Sequence, residues 1–157
     1  MSELKVGDRA PNFTLVSMNM KSVSLMDFRG KKLVLAFFPG AFTGTCTREM
    51  CALRDSIAKM EDLEAQVIGI SVNDPFSNKA FHEENALNFP LLSDYQRDVV
   101  KKYGVYHEDF AGLKGYTAAK RSVFIVDENG IIRYKWVTEN PGVEPPYDEL
   151  KKSLKSI

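Results

Sequence analysis

The stretch LVLAFFPGAFTGTC occupies Leu33–Cys46. Its first part, Leu33–Phe38, is an unbroken apolar run, the pattern of a strand buried on both faces. Pro39 and Gly40 end that run. The segment CTREMCALRDSIAKM (Cys46–Met60) then places Met50, Leu53, Ile57 and Met60 at helical spacing, with charges on the other face. Thr45 or Thr47 is expected to cap its start. A second buried strand follows at QVIGISV (Gln66–Val72). A right-handed crossover makes the two strands parallel. Open sheets of this kind hold ligands beyond the carboxyl ends of their strands, and Cys46 lies at such an end.

Working outward, NFTLVSMNMKSVSL (Asn12–Leu25) reads as an N-terminal β-hairpin, and MDFRGKK (Met26–Lys32) as a polar turn. Asn73-Asp74-Pro75 opens a helix that runs to about Ala86, with Pro75 suited to its first turn. FPLLSD (Phe89–Asp94) is a short strand. Arg97–Tyr103 is a helix ended by Gly104. In RSVFIVDENGIIRYKWV (Arg121–Val137), two β-rich runs flank the turn signal Asp127-Glu128-Asn129-Gly130. Tyr147–Ile157 closes the chain as a helix. The expected class is α/β, with a central mixed sheet covered on both faces, formed by residues 1–157 as a single domain.

The 21 basic and 21 acidic side chains balance. No basic excess points to nucleic acid or to an anionic membrane surface. The N-terminal MSELKVGDRAPNF has no apolar signal core, and no stretch approaches the length of a membrane span. The expected compartment is the reducing cytoplasm.

The chain has two cysteines, Cys46 and Cys51. A thiol is nucleophilic as its thiolate, which helix N-termini and nearby cations favour. Cys46 at a helix start has the first of these. Read from residues alone, it is either such a nucleophile or a small buried residue in a strand-to-helix turn. Cys51, beside Met50 on the apolar side of the pattern, reads as a small hydrophobe. Five residues along an intact helix separate Cα atoms by roughly 8–9 Å, beyond the reach of a disulfide at about 4.4–6.8 Å. Pairing would require the helix to unwind. Zinc spacing is absent, His82 and His107 lie far along the chain and read as solvated, and neither C-x5-R nor C-x2-C occurs.

Pro39, Thr43 and Cys46 form the pattern P-x3-T-x2-C. Together with VGDRAPNFTL (Val6–Leu15), DFRGKKLVLAFFP (Asp27–Pro39), ISVNDP (Ile70–Pro75), LLSD (Leu91–Asp94), KYGV (Lys102–Val105) and RSVFIVDENGIIRY (Arg121–Tyr134), it resembles the peroxiredoxins, cysteine-dependent peroxidases on a thioredoxin-like fold. The C-x4-C spacing resembles the bacterioferritin-comigratory, or Q-type, group, while AFTGTC is closer to the E-type group. The resemblance implies that Cys46 is the peroxidatic cysteine and that Thr43 orients the peroxide. It implies that Pro39 shields the thiolate, that Arg121 supplies a cation, and that Cys51 resolves the sulfenic acid. Glu49 and Arg97 are candidates for a supporting polar network. The implied partners are hydrogen peroxide, organic hydroperoxides, and thioredoxin or a similar dithiol donor. No cofactor is called for. The chain is expected to be a monomer or a homodimer that meets near the active-site loop, around Phe42. A one-cysteine peroxidase with an external thiol, or a peroxide sensor, is the alternative.

Overall fold

A computed structural model describes residues 3–57 and 65–157. Its strands β1 (Thr14–Ser17), β2 (Ser22–Ser24), β3 (Lys32–Phe37), β4 (Ala65–Ser71) and β5 (Leu91–Ser93) belong to one sheet with two later strands. Between them lie helices α1 (Gly44–Asp55), α2 (Pro75–Glu84) and α3 (Asp98–Lys102). Two short strands, β6 (Tyr106–His107) and β7 (Ala118–Ala119), form a separate two-stranded antiparallel sheet. Then come β8 (Ser122–Val126), β9 (Ile132–Val137) and α4 (Tyr147–Lys155). The sheet order is β2-β1-β5-β4-β3-β8-β9. As expected, β3 and β4 are parallel; β8 runs antiparallel to β3 and β9 to β8. The N-terminal hairpin joins the sheet through antiparallel pairing of β1 with β5.

The apolar run of β3 serves two cores because successive side chains point to opposite faces. Leu33, Leu35 and Phe37 pack with Val99, Val100, Tyr103 and Phe124 on the face covered by α3. Val34, Ala36 and Phe38 pack with Met50, Leu53, Phe81, Leu150 and Leu154, the buried faces of α1, α2 and α4. Gly69 of β4 belongs to this second side. A Cβ there would stand 2.5 Å from a Leu91 methyl, against the Phe38 ring and the Met50 sulfur. A side chain at this position would force the Leu91 methyl and the Phe38 ring to shift.

Several boundaries differ from expectation. α1 starts at Gly44, two residues before Cys46, so Thr43 holds the N-cap position while Thr45 and Thr47 lie inside the helix. Thr47 turns its hydroxyl back to the Thr43 carbonyl at 2.8 Å, a bond that satisfies a serine or threonine within a helix. α1 is helical to Asp55; Met60 lies outside the described residues. In α2 the Asp74 carboxylate accepts from the Ser77 amide at 2.8 Å, with Pro75 in the first turn. The polar turn after the hairpin is a short 3-10 segment, Leu25–Phe28. Nothing in the residue pattern marks the β6–β7 pair, because two-residue strands are too short to show alternation.

Candidate active site

The loop between β3 and α1 brings Cys46 into the core. Pro39 and Gly40 are buried at the end of β3, and Phe42 takes a left-handed backbone with φ +66. The loop is tied to the neighbouring parallel strand by the Ala41 amide, which donates to Asn73 Oδ1 at 2.9 Å just beyond the end of β4. Cys46 follows in the first turn of α1 and is completely buried. Both cysteines are free thiols.

The register of β8 against β3 explains the cation. Ser122 pairs with Phe37, so the start of the antiparallel strand lies beside the end of β3. Arg121, immediately before it, therefore projects over the start of α1. Its Nη2 stands 3.2 Å from Cys46 Sγ. Its Nη1 donates to Glu49 Oε1 at 2.8 Å, one helical turn beyond Cys46. Its Nε and Nη2 donate to the Pro141 carbonyl at 3.1 and 2.8 Å. Arg121 is only 1% exposed and Glu49 is fully buried. The planar guanidinium is thus fixed on three sides, an arrangement that a lysine cannot reproduce.

Glu49 Oε1 is paired, but Oε2 has no hydrogen-bond partner among the described residues. Burial pushes the Glu49 carboxyl up to about 7, against the pull of Arg121. For Arg121, burial works against the charge, yet Glu49 and Cys46 outweigh it and hold the guanidinium above its ordinary range. A helix N-terminus and an arginine thus converge on one buried sulfur.

Thr43 is exposed at the mouth of the loop, its Oγ1 donating to the Gly40 carbonyl at 3.0 Å. Cys51 points elsewhere: it is half-buried, and its Sγ donates to Asn85 Oδ1 at 3.7 Å, at the end of α2. Arg97, expected in the supporting network, does not join it. Its guanidinium donates to the Tyr95 and Thr117 carbonyls and lies over the Tyr116 ring. The reason is its position at the start of α3, on the opposite face of the sheet. Glu49 does join, and Pro141 and Asn73 are additions; a backbone carbonyl and a loop-tying amide leave no mark in residue type. The histidines are half-buried rather than solvated, with His107 edge-on to Phe110 at 5.2 Å between ring centres. Among the described residues no group of three or more His, Cys, Asp or Glu is placed to hold a metal ion. No described helix is long and apolar enough to cross a membrane.

The chain is similar to known proteins over most of its length. Residues 6–135 match the AhpC/TSA family. A putative peroxiredoxin bcp of Haemophilus influenzae is 42% identical over 132 residues, spanning 84% of this chain and 85% of that protein. A chloroplastic peroxiredoxin Q of Suaeda salsa is 37% identical over 100% of this chain and 71% of its own. The crystal structure of a peroxiredoxin-like protein from Aquifex aeolicus superposes with a TM-score of 0.88 at 30% identity, covering 99% of this chain and 89% of that one. The chain belongs to the AhpC/TSA family as a peroxiredoxin of the Bcp/Q type, and its fold is thioredoxin-like.

Proposed function

We propose that the chain is a thiol peroxidase that reduces hydrogen peroxide and organic hydroperoxides at Cys46. The observation that carries this reading is the Arg121 Nη2 contact with the buried Cys46 sulfur at 3.2 Å, at the first turn of α1. The thiolate attacks one peroxide oxygen; the O–O bond breaks, the S–O bond forms, and the leaving oxygen takes a proton to depart as water or alcohol. Negative charge grows on that oxygen. Donors already held in a water-poor site stabilise it without rearranging. Arg121 is one such donor, and the Thr43 hydroxyl, at the mouth of the loop, is the group we assign to orienting the peroxide. Pro39 closes the pocket from the strand side.

The resulting sulfenic acid is resolved by Cys51, giving an intrachain disulfide that thioredoxin or a similar dithiol reopens. That cycle needs a reducing compartment, and the cytoplasm is the location we propose. Phe42, 53% exposed beside the site, is the side chain through which two copies would meet if the chain dimerises. A second reading is favoured by one observation: Cys51 is held by Asn85 on an intact helix. Under that reading the enzyme uses Cys46 alone and an outside thiol.

Mass spectrometry of non-reduced peptides, after one equivalent of hydrogen peroxide on the reduced protein, decides between them. A Cys46–Cys51 bond is expected. Sulfenic acid at Cys46 with Cys51 still free selects the one-cysteine cycle. An unmodified Cys46 overturns the peroxidase reading itself.

A further inference from the structure

Cys51 is restrained by groups outside the site around Cys46. Asn85 stands at the carboxyl end of α2, where its Nδ2 donates to the Phe81 carbonyl at 3.0 Å. With the amide nitrogen engaged there, Asn85 offers Cys51 its Oδ1, so the sulfur must supply the proton of the 3.7 Å bond between them. The same residue also holds the end of α1. Arg54 Nη1 donates to the Asn85 carbonyl oxygen, and Asn88 Nδ2 donates to the Arg54 carbonyl at 3.4 Å. Five residues of helix turn Cys51 by about 140° from Cys46. The second half of α1 is therefore bound to α2 on a side away from the peroxidatic sulfur.

We propose that Asn85 is a positioning residue for the resolving step: its side chain holds Cys51 off Cys46 and sets how long the sulfenic acid waits. This rests on the resolving role of Cys51 proposed above. In that step the Cys51 sulfur bonds to the Cys46 sulfur, the S–O bond of the sulfenic acid breaks, and the departing hydroxide takes the Cys51 proton as water. The proton that must leave is the one given to Asn85 Oδ1, and the geometry of the intact helix keeps the sulfurs apart. Release from Asn85 and unwinding of α1 thus precede the bond. During the wait a second peroxide competes: the sulfenic sulfur attacks it, the O–O bond breaks, and sulfinic acid forms with loss of water or alcohol. Asn85 thereby biases the partition between a reversible disulfide and an overoxidised enzyme.

The test is a quenched time course on the full chain. Reduced protein receives one equivalent of hydrogen peroxide, samples are alkylated at intervals, and the Cys46 and Cys51 peptides are weighed. Loss of reduced Cys46 is followed in the same samples, so a change in the first step is read separately. Asn85→Ala is expected to form the Cys46–Cys51 bond about three to ten times faster than wild type, the scale of one lost hydrogen bond. The sulfinic acid formed at excess peroxide should fall by a similar factor. Asn85→Asp keeps an oxygen acceptor for Cys51, now a charged one that holds the thiol proton more tightly, while losing the bond to the Phe81 carbonyl, and it should form the bond no faster than wild type. If Asn85→Ala is no faster than wild type, or Asn85→Asp accelerates as much as Asn85→Ala, the grip on Cys51 does not set the step and the proposal is overturned. If wild type forms no Cys46–Cys51 bond, the resolving role of Cys51 falls and this inference with it, a failure distinct from the first two.

Discussion

Cys46 and Cys51 share α1 and lie five residues apart, yet they differ in burial and in hydrogen-bond partner. Cys46 is fully buried and faces a guanidinium that is fixed by Glu49 and a backbone carbonyl. Cys51 is half-buried; its hydrogen bond is a long one to a neutral amide, with the Arg54 guanidinium close enough to interact with the thiol. The difference lies in what each contact costs to break. Removing one partner of a buried ion pair strands a charge in the core, whereas breaking a neutral bond at a half-buried thiol costs only about 0.5–1.5 kcal/mol. The helix thus carries one sulfur held beside a charge in the core and one held lightly at a half-buried position.

Arg121 is where this contrast breaks most severely. Arg121→Ala removes the donor facing Cys46 and leaves Glu49 buried without its cation. The rate constant for Cys46 oxidation by hydrogen peroxide is expected to fall about 10²–10³-fold, the scale of losing one preorganised donor. Stability should drop by about 3–5 kcal/mol, read from the midpoint of urea unfolding. A loss of rate smaller than about fivefold would remove Arg121 from the chemistry and leave it a structural residue.

Glu49 sharpens the comparison through pH. Its folded value is raised from 4.5 to about 7, first by burial, with Arg121 opposing. A carboxyl raised on folding favours the folded state in its neutral form. That contribution is complete below about pH 4.5 and is lost as pH rises through about 7. Glu49→Gln stays neutral throughout. Wild type should therefore lose on the order of 2–3 kcal/mol of stability relative to Glu49→Gln between pH 5 and 8, seen as diverging urea midpoints. Parallel curves would mean that Glu49 titrates alike in the folded and unfolded chain.

Much of this site is legible in the amino-acid sequence because its parts are written as local patterns. The apolar run Leu33–Phe38 ends in Pro39-Gly40, and the helical spacing after it places Cys46 at a strand-to-helix junction. The hairpin from Arg121 to Val137 marks the strand that brings the cation. Pairing over distance leaves no such mark. Glu49 and Arg121 are 72 residues apart, and a glutamate on a helix gives no local sign that a partner awaits it. Arg97 carries the same charge as Arg121 and lies on the other face of the sheet, bonded to carbonyls. Gly44 and Thr45 are poor helix formers in a helix interior, yet α1 begins at Gly44. Asn85 reads only as the end of a helix, since its grip on Cys51 exists only where two helices meet.

The smallest expected effect is at Arg48, the residue immediately before Glu49. Both are charged, both stand on α1 between the two cysteines, and residue type does not tell them apart. Arg48 has a side chain 61% exposed, and it reaches Glu144 at 3.4 Å and Thr45 Oγ1 at 2.9 Å. Water screens an ion pair at such a position, and ordering two long side chains offsets most of the attraction. Glu144 also keeps the Tyr147 hydroxyl at 2.7 Å when Arg48 is gone, so no buried group is orphaned. Arg48→Ala should shift the urea midpoint by no more than about 0.5 kcal/mol equivalent and should leave the rate of Cys46 oxidation within about twofold. A larger loss of rate would show that charge on the solvent side of α1 reaches the sulfur. The division between a fully buried cysteine bonded to a guanidinium and a half-buried one bonded to an amide would then have to extend to the surface of the helix.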